Sequence, residues 1–138
     1  MMHRKNKSLN FNQIRPPVAK LIGFSIVRGG RGKAVSRMKA REAHKNFNGT
    51  IHGGILCDLA DATMGAAFAS LLEPFESGVT IEFKINFLRP VLSGDLICAF
   101  AKTIFSGRSL YHLECELKNT KGKLVAKASS ICKKSYRG

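Results

Sequence analysis

The chain has 138 residues, 44% of them hydrophobic, and a formal net charge of +14. One domain with a real core fits that length and composition, wholesale disorder does not, and no charge-free apolar run of roughly 18 residues is present to cross a membrane. The charge favours polyanions in general, but the Lys and Arg residues are dispersed, without an RNP-like motif, zinc-finger spacing or helix-turn-helix, so no specific nucleic-acid partner is expected.

Residues 1–14 read as a loose basic tail and residues 15–138 as a single domain. The tail leads into neither a hydrophobic segment nor a small-residue cleavage site of a secretory signal. Acids are absent before Glu42, as in a mitochondrial presequence, but patterned sequence already begins near Arg15; the expected compartment is the cytoplasm. Pro16-Pro17 allows a helix only at its first turn, so Val18 to Ile22 is expected to be a short amphipathic helix ended by Gly23. Phe24 to Val27 reads as a strand, the following RGGRG as its turn, and Lys33 to Ala40 as the returning strand, with Ala34, Ser36, Met38 and Ala40 on one face.

After a polar loop, Arg41 to Thr50, comes a helix of about 18 residues, from Gly54 apolar or small on nearly every face and therefore expected to be buried nearly all round. The remainder is strands. Ile81, Phe83, Ile85 and Phe87 alternate with Glu82, Lys84, Asn86 and Leu88 until Arg89-Pro90; further strands run from Leu96 to Phe105, from Tyr111 to Lys118 and from Leu124 to Lys133. Their short connections suggest antiparallel neighbours. The simplest assembly is an α+β arrangement, one long helix wrapped by an antiparallel sheet of five or six strands. One helix covers such a sheet only in part, so a homo-oligomer built from C2 dimers is expected.

Cys57, Cys98, Cys115 and Cys132 stand singly in apolar or strand-like runs and read as buried free thiols. The four histidines form no ligand pair at helical spacing, and no metal is expected. The chemistry points instead to two acids in the apolar helix, Asp58 and Asp61. Asp58 lies one turn in, where the positive end of the helix dipole favours an acid, and reads as an exposed or dipole-compensating residue. Asp61 lies two turns in, beyond that effect, in a position where aspartate is a poor helix former. It reads as a working carboxylate facing a cleft, rather than as the salt-bridged residue that is the alternative. Just before the helix, His52-Gly53-Gly54 leads into a first turn whose amides have no intrahelical partner and whose glycines let another molecule approach closely. Such a turn suits a phosphate or a developing oxyanion.

Asn46-x-x-Gly49-x-x-His52-Gly53-Gly54, with Asp61 seven residues after the last glycine, resembles the signature of hotdog-fold acyl-CoA thioesterases of the phenylacetate-degradation (PaaI) type. The similarity continues through Gly78-Val79-Thr80, Phe87-Leu88-Arg89-Pro90, the Gly94-Asp95 turn and Asn119-x-x-Gly122-Lys123-Leu124-Val125-Ala126, and covers about residues 15–133. It implies a hotdog fold and hydrolysis of acyl-CoA to free acid and coenzyme A. It makes Asp61 the catalytic carboxylate, acting as general base on water or as nucleophile. It gives Gly53 N–H the oxyanion, Asn46 a hydrogen bond near the thioester or the water, and Thr80 the orientation of that water. His52 and Gly54 would shape the substrate-binding turn, and Arg89 and Arg108 would lie near the coenzyme A phosphates. The resemblance also implies a homodimer or homotetramer (a dimer of dimers) with active sites across the dimer interface, and no cofactor beyond the coenzyme A of the substrate. The length of an acyl pocket would depend on how Phe68, Leu71, Leu72 and Phe75 pack at the end of the helix and across the dimer. Alternatives are an acyl-thioester dehydratase or hydratase on the same fold, whose usual His–acid dyad has no obvious match here, and a non-catalytic acyl-CoA-binding module or sensor.

Overall fold

The computed structural model describes residues 16–136; the tail assigned to residues 1–14 lies outside the described residues. The chain forms α1 (Pro17–Ile22), β1 (Phe24–Gly30), β2 (Lys33–Lys39), a one-turn 3-10 helix (Glu42–His44), α2 (Gly53–Ala69), β3 (Glu76–Phe87), β4 (Leu96–Ser106), β5 (Leu110–Lys118) and β6 (Leu124–Tyr136). Gly23 ends α1 in the left-handed region, φ 94°, with its amide on the Ala19 carbonyl. The β1–β2 turn uses Arg31 and Gly32 at φ 53° and 77°, the paired positive angles that two-residue hairpins need.

The six strands make one antiparallel sheet in the order β1-β2-β4-β5-β6-β3. The hairpins β1–β2, β4–β5 and β5–β6 follow from short turns. The β3–β4 link does not behave as its length suggests, because these strands are not paired. Pro90 can donate no ladder hydrogen bond, and the link instead crosses the ends of β6 and β5. Leu88 and Arg89 amides both donate to the Val125 carbonyl (2.9 and 3.2 Å), and Val91 is buried with its carbonyl on the Ile51 amide. β3 is thereby left as an edge strand.

Helix α2 lies on this sheet. Leu56, Leu59, Ala60, Thr63, Met64, Ala66, Ala67 and Phe68 are buried against it, together with the predicted inner row Ala34, Ser36, Met38 and Ala40 and with Ile97, Leu113, Leu117 and Val125. Ser36 and Thr63, both fully buried, hydrogen-bond to each other, and Thr63 also donates to the Leu59 carbonyl, so neither hydroxyl is stranded. The expectation that α2 is buried all round does not hold for the single chain. Gly54, Asp58, Asp61 and Ala69 are exposed along one stripe, with Cys57, Ala62 and Gly65 half-buried beside it. Hydrophobic composition made every face of the helix eligible for burial, but one sheet covers only one side.

The loop before α2 hangs on His44, which is 3% exposed. Its Nδ1 accepts the Arg41 amide at 3.1 Å, and its Nε2 donates to the Ile22 carbonyl at 2.7 Å, an arrangement that fixes the neutral tautomer. A second constraint lies at Gly78 on β3, where a Cβ would come within 2.2 Å of the Phe68 ring and 2.8 Å of the Lys133 carbonyl. Phe68 is itself held edge-on against Tyr111 with ring centroids 5.0 Å apart. Gly78→Ala is therefore expected to destabilise the fold by about 1–3 kcal/mol, the usual range for overpacking, read as a lower midpoint in thermal or denaturant unfolding. An unchanged midpoint would show that Phe68 can move away.

Candidate active site

The site is built where α2 and β3 run antiparallel past each other. Phe87, at the end of β3, packs on Gly53 at the start of the helix, where a Cβ would lie 2.9 Å from its ring. Farther along, the Thr80 hydroxyl donates to Asp61 Oδ1 at 2.9 Å, and farther still Gly78 receives the Phe68 ring. One irregularity makes this possible. β3 and β6 shift register between Thr80, opposite Cys132, and Glu82, opposite Ile131, so Ile81 is an extra, bulged residue. Strand side chains alternate between faces, and the bulge reverses the phase. Gly78 and Thr80 therefore face the helix on one side of it, and Phe83, Ile85 and Phe87 on the other. Ile81, expected on the inner row with those three, is 53% exposed instead.

Asp61 is exposed and its carboxylate is held by Thr80. Thr80 Oγ1 also lies 3.8 Å from the Cys132 sulfur. Burial pushes the Cys132 thiol above its ordinary range and the Cys115 thiol up to about 12, so neither is poised as a thiolate nucleophile. Among the described residues all four cysteines are free; Cys115 and Cys132 are buried as expected, whereas Cys57 and Cys98 are only half-buried. Among those residues, too, no three His, Cys, Asp or Glu side chains cluster as a metal site.

Beside Thr80 opens a cleft of about 200 Å³ lined by Gly65, Phe68, Ala69 and Leu72 of the helix side and Gly78, Val79, Thr80 and Cys132 of the sheet side. Its other end is marked by Ser77 and by Glu76, 8% exposed, which is paired with Lys134 at 2.9 Å. Of the four residues whose packing was expected to set the pocket's length, Phe68 and Leu72 line the cleft within the single chain. Leu71 turns toward Gly32, and Phe75 stacks on Tyr136, neither lining the cleft. Sequence reasoning missed Glu76, Cys132 and Gly65. Only Gly65 carried a visible signal, since a glycine inside a helix is costly.

The other expected site residues do not gather around Asp61 in the single chain. Gly53 precedes it by eight residues, about 12 Å along the helix axis. Asn46 lies in the loop before the helix, where its Oδ1 accepts the Asn48 amide at 2.9 Å and its Nδ2 donates to Thr50 Oγ1 at 3.1 Å. His52 is the N-cap residue, exposed and making no side-chain cap; its ring lies against Gly54, where a Cβ would be 3.0 Å away. Arg89 donates to the Leu124 carbonyl at 2.6 Å. Arg108 is exposed in the β4–β5 turn, beside Ser109, whose carbonyl holds the Lys134 amide. The two arginines thus flank opposite ends of β6, about 30 Å apart at strand rise, and cannot serve one phosphate cluster within one chain.

Asp58 is exposed, one of the two roles its position suggests, but it does not serve the other, compensation of the helix dipole, because it falls outside the first turn, which contains no acid. Burial, then the charge of Asp61 one turn on, pushes its carboxyl above the ordinary carboxylate range. A carboxyl raised in the folded state weakens the fold once it ionises, and the penalty grows as pH rises from its unfolded value through its folded one. Asp58→Asn is accordingly expected to raise the melting temperature at neutral pH, with the gain shrinking in acid below the carboxylate range. A pH-independent difference would contradict this origin.

Comparison with known proteins bears on the family and the fold. The family model described as the thioesterase superfamily matches residues 48–126. Acyl-coenzyme A thioesterase 13 of Homo sapiens is 30% identical over 123 residues, covering 87% of this chain and 81% of that protein. Among solved structures, a conserved protein of Pseudomonas aeruginosa superposes with a TM-score of 0.83 at 32% identity, covering 90% of this chain and 98% of that one. The PaaI protein of Escherichia coli, from its phenylacetic acid degradation operon, superposes with a TM-score of 0.82 at 28% identity, covering 88% and 86%. With its six-stranded antiparallel sheet around one main helix, this chain belongs to the thioesterase superfamily, as a PaaI-like hotdog-fold thioester hydrolase.

Proposed function

We propose that the chain hydrolyses acyl-CoA thioesters, with Asp61 activating the water. The observation that carries this reading is the 2.9 Å hydrogen bond from Thr80 to Asp61 Oδ1 at the mouth of the cleft. It holds one carboxylate oxygen of an exposed side chain next to Thr80, which lines the cleft. Acting as general base, Asp61 takes a proton from water as its oxygen bonds to the thioester carbon. The carbonyl oxygen becomes an oxyanion on the Gly53 amide, at the positive end of α2. Collapse of that intermediate breaks the carbon–sulfur bond and releases the acid, and the thiolate of coenzyme A takes up the proton. Asn46 hydrogen-bonds near the thioester, and His52 and Gly54 shape the turn that receives it. No metal or redox cofactor enters this chemistry.

A single carbonyl cannot meet Asp61 and Gly53 of one helix, since about 12 Å separates them. The reading therefore pairs Asp61 and Thr80 of one chain with Asn46 and Gly53 of a second across a C2 interface. The exposed apolar side chains of edge strand β3, Val79 at 61% and Ile81 at 53%, support such a partner. Arg89, near the Gly53 end, is the better placed of the two arginines for the coenzyme A phosphates. We infer further that the assembly is a homodimer or homotetramer and that it works in the cytoplasm, where four free thiols would stay reduced.

Asp61→Asn is expected to fold normally and lose at least about 100-fold in kcat on acyl-CoA, the usual contribution of a positioned base, measured as free thiol released. Undiminished turnover would remove the mechanism. Mixing Asp61→Asn subunits with Asn46→Asp subunits under exchange tests the shared site. Half the dimers are then hybrids carrying one intact site, restoring about a quarter of parental activity. No recovery would place the whole site within one chain.

A further inference from the structure

One wall of the cleft is a glycine in mid-helix that the packing of the chain does not explain. Gly65 stands one turn beyond Asp61, about 6 Å along the axis of α2, and lines the cleft. Glycine is the poorest helix former apart from proline, so its presence in a helix interior calls for a reason. Close approach of a neighbour would be one, as at Gly78 across the cleft, where there is no room for a Cβ. At Gly65 an added Cβ meets nothing within 4 Å. The atom would stand in the cleft.

The other boundaries are fixed. Phe68 is wedged between Gly78 and the Tyr111 ring, and Glu76 at the far end is buried and paired with Lys134. Gly65 is thus a position beside the carboxylate where, within one chain, size can change without disturbing a packed neighbour. A cavity of about 150 Å³ suffices for benzene, so the cleft, at about 200 Å³, is of a size for a ring or a medium chain, and a side chain at position 65 would take up part of it.

We propose that Gly65 determines acyl specificity: its missing side chain opens the stretch of cleft one helical turn past the carbonyl carbon, admitting acyl groups that extend beyond that turn. The proposal rests on Asp61 acting at the thioester carbon. An acetyl group ends before Gly65, whereas an octanoyl or phenylacetyl group passes alongside it. A larger residue at 65 clips the second kind and spares the first.

The test compares the parent with Gly65→Ala, Gly65→Val and Gly65→Leu on acetyl-, butanoyl-, octanoyl- and phenylacetyl-CoA, reading kcat/KM by thiol release and melting temperature by circular dichroism. The octanoyl-to-acetyl ratio is expected to fall stepwise with side-chain size, by about ten-fold or more in Gly65→Leu. The melting temperature of Gly65→Ala should equal or exceed the parent's, since alanine is the better helix former. An unchanged ratio overturns the proposal, as does an equal loss on every substrate with a lowered melting temperature, the mark of a purely structural glycine. Failure of the hydrolase reading shows separately, as a parent that releases no thiol. In that event the dissociation constants of octanoyl- and acetyl-CoA for parent and Gly65→Leu decide the Gly65 question alone, a selective loss of octanoyl-CoA supporting it and parallel values overturning it.

Discussion

The structure turns on a carboxylate placed where the surrounding sequence argues against one. Asp61 sits on a helix whose residues otherwise pack into a core, and an ionised acid there needs water or a donor. It has both, because its side of α2 is left open by the sheet and because Thr80 reaches it from β3. The contact depends on one extra residue, Ile81. Without that bulge, a strand presenting Phe83, Ile85 and Phe87 to the helix would turn Thr80 to the opposite face. The inserted residue lets one strand seal the core with its second half and serve the site with its first.

The same helix offers two chemically distinct places, its amide-rich start and its midpoint acid, too far apart for one reacting carbonyl. The proposed two-chain site resolves this by letting each copy contribute its start to one centre and its acid to the other. In that scheme the surfaces the lone chain leaves uncovered, the open stripe of α2 and the apolar edge of β3, are where the second copy belongs. The packing inside the chain suits this division. Phe87 against Gly53 and Phe68 against Gly78 lock strand to helix at both ends, so the interval between amide and acid is set by rigid elements.

Much of this was legible in the residues. Ala34, Ser36, Met38 and Ala40 alternate into the core as their spacing demands, and Gly23, Gly94 and Gly122 fall in turns with positive φ. Asp61 stood out by sheer incongruity, and its partner Thr80 came with the family resemblance. What escaped were features that depend on distant pairing. The bulge at Ile81 is invisible to a two-residue period, which gave the wrong face to that side chain. The β3–β4 link is short enough for a hairpin, yet Pro90 and the buried Val91 carry it across two other strands. Arg89 and Arg108 looked equivalent as charges, and only the sheet register separates them. Glu76 carries no signal in its own neighbourhood, because its partner Lys134 arrives from β6.

The most direct measurement is a crystal structure of Asp61→Asn bound to an acyl-CoA. The account predicts the thioester carbon beside residue 61 of one subunit, its carbonyl oxygen about 3 Å from the Gly53 amide of the other, and the acyl group running past Gly65. A thioester held away from residue 61, or one contacted by a single subunit alone, would contradict it.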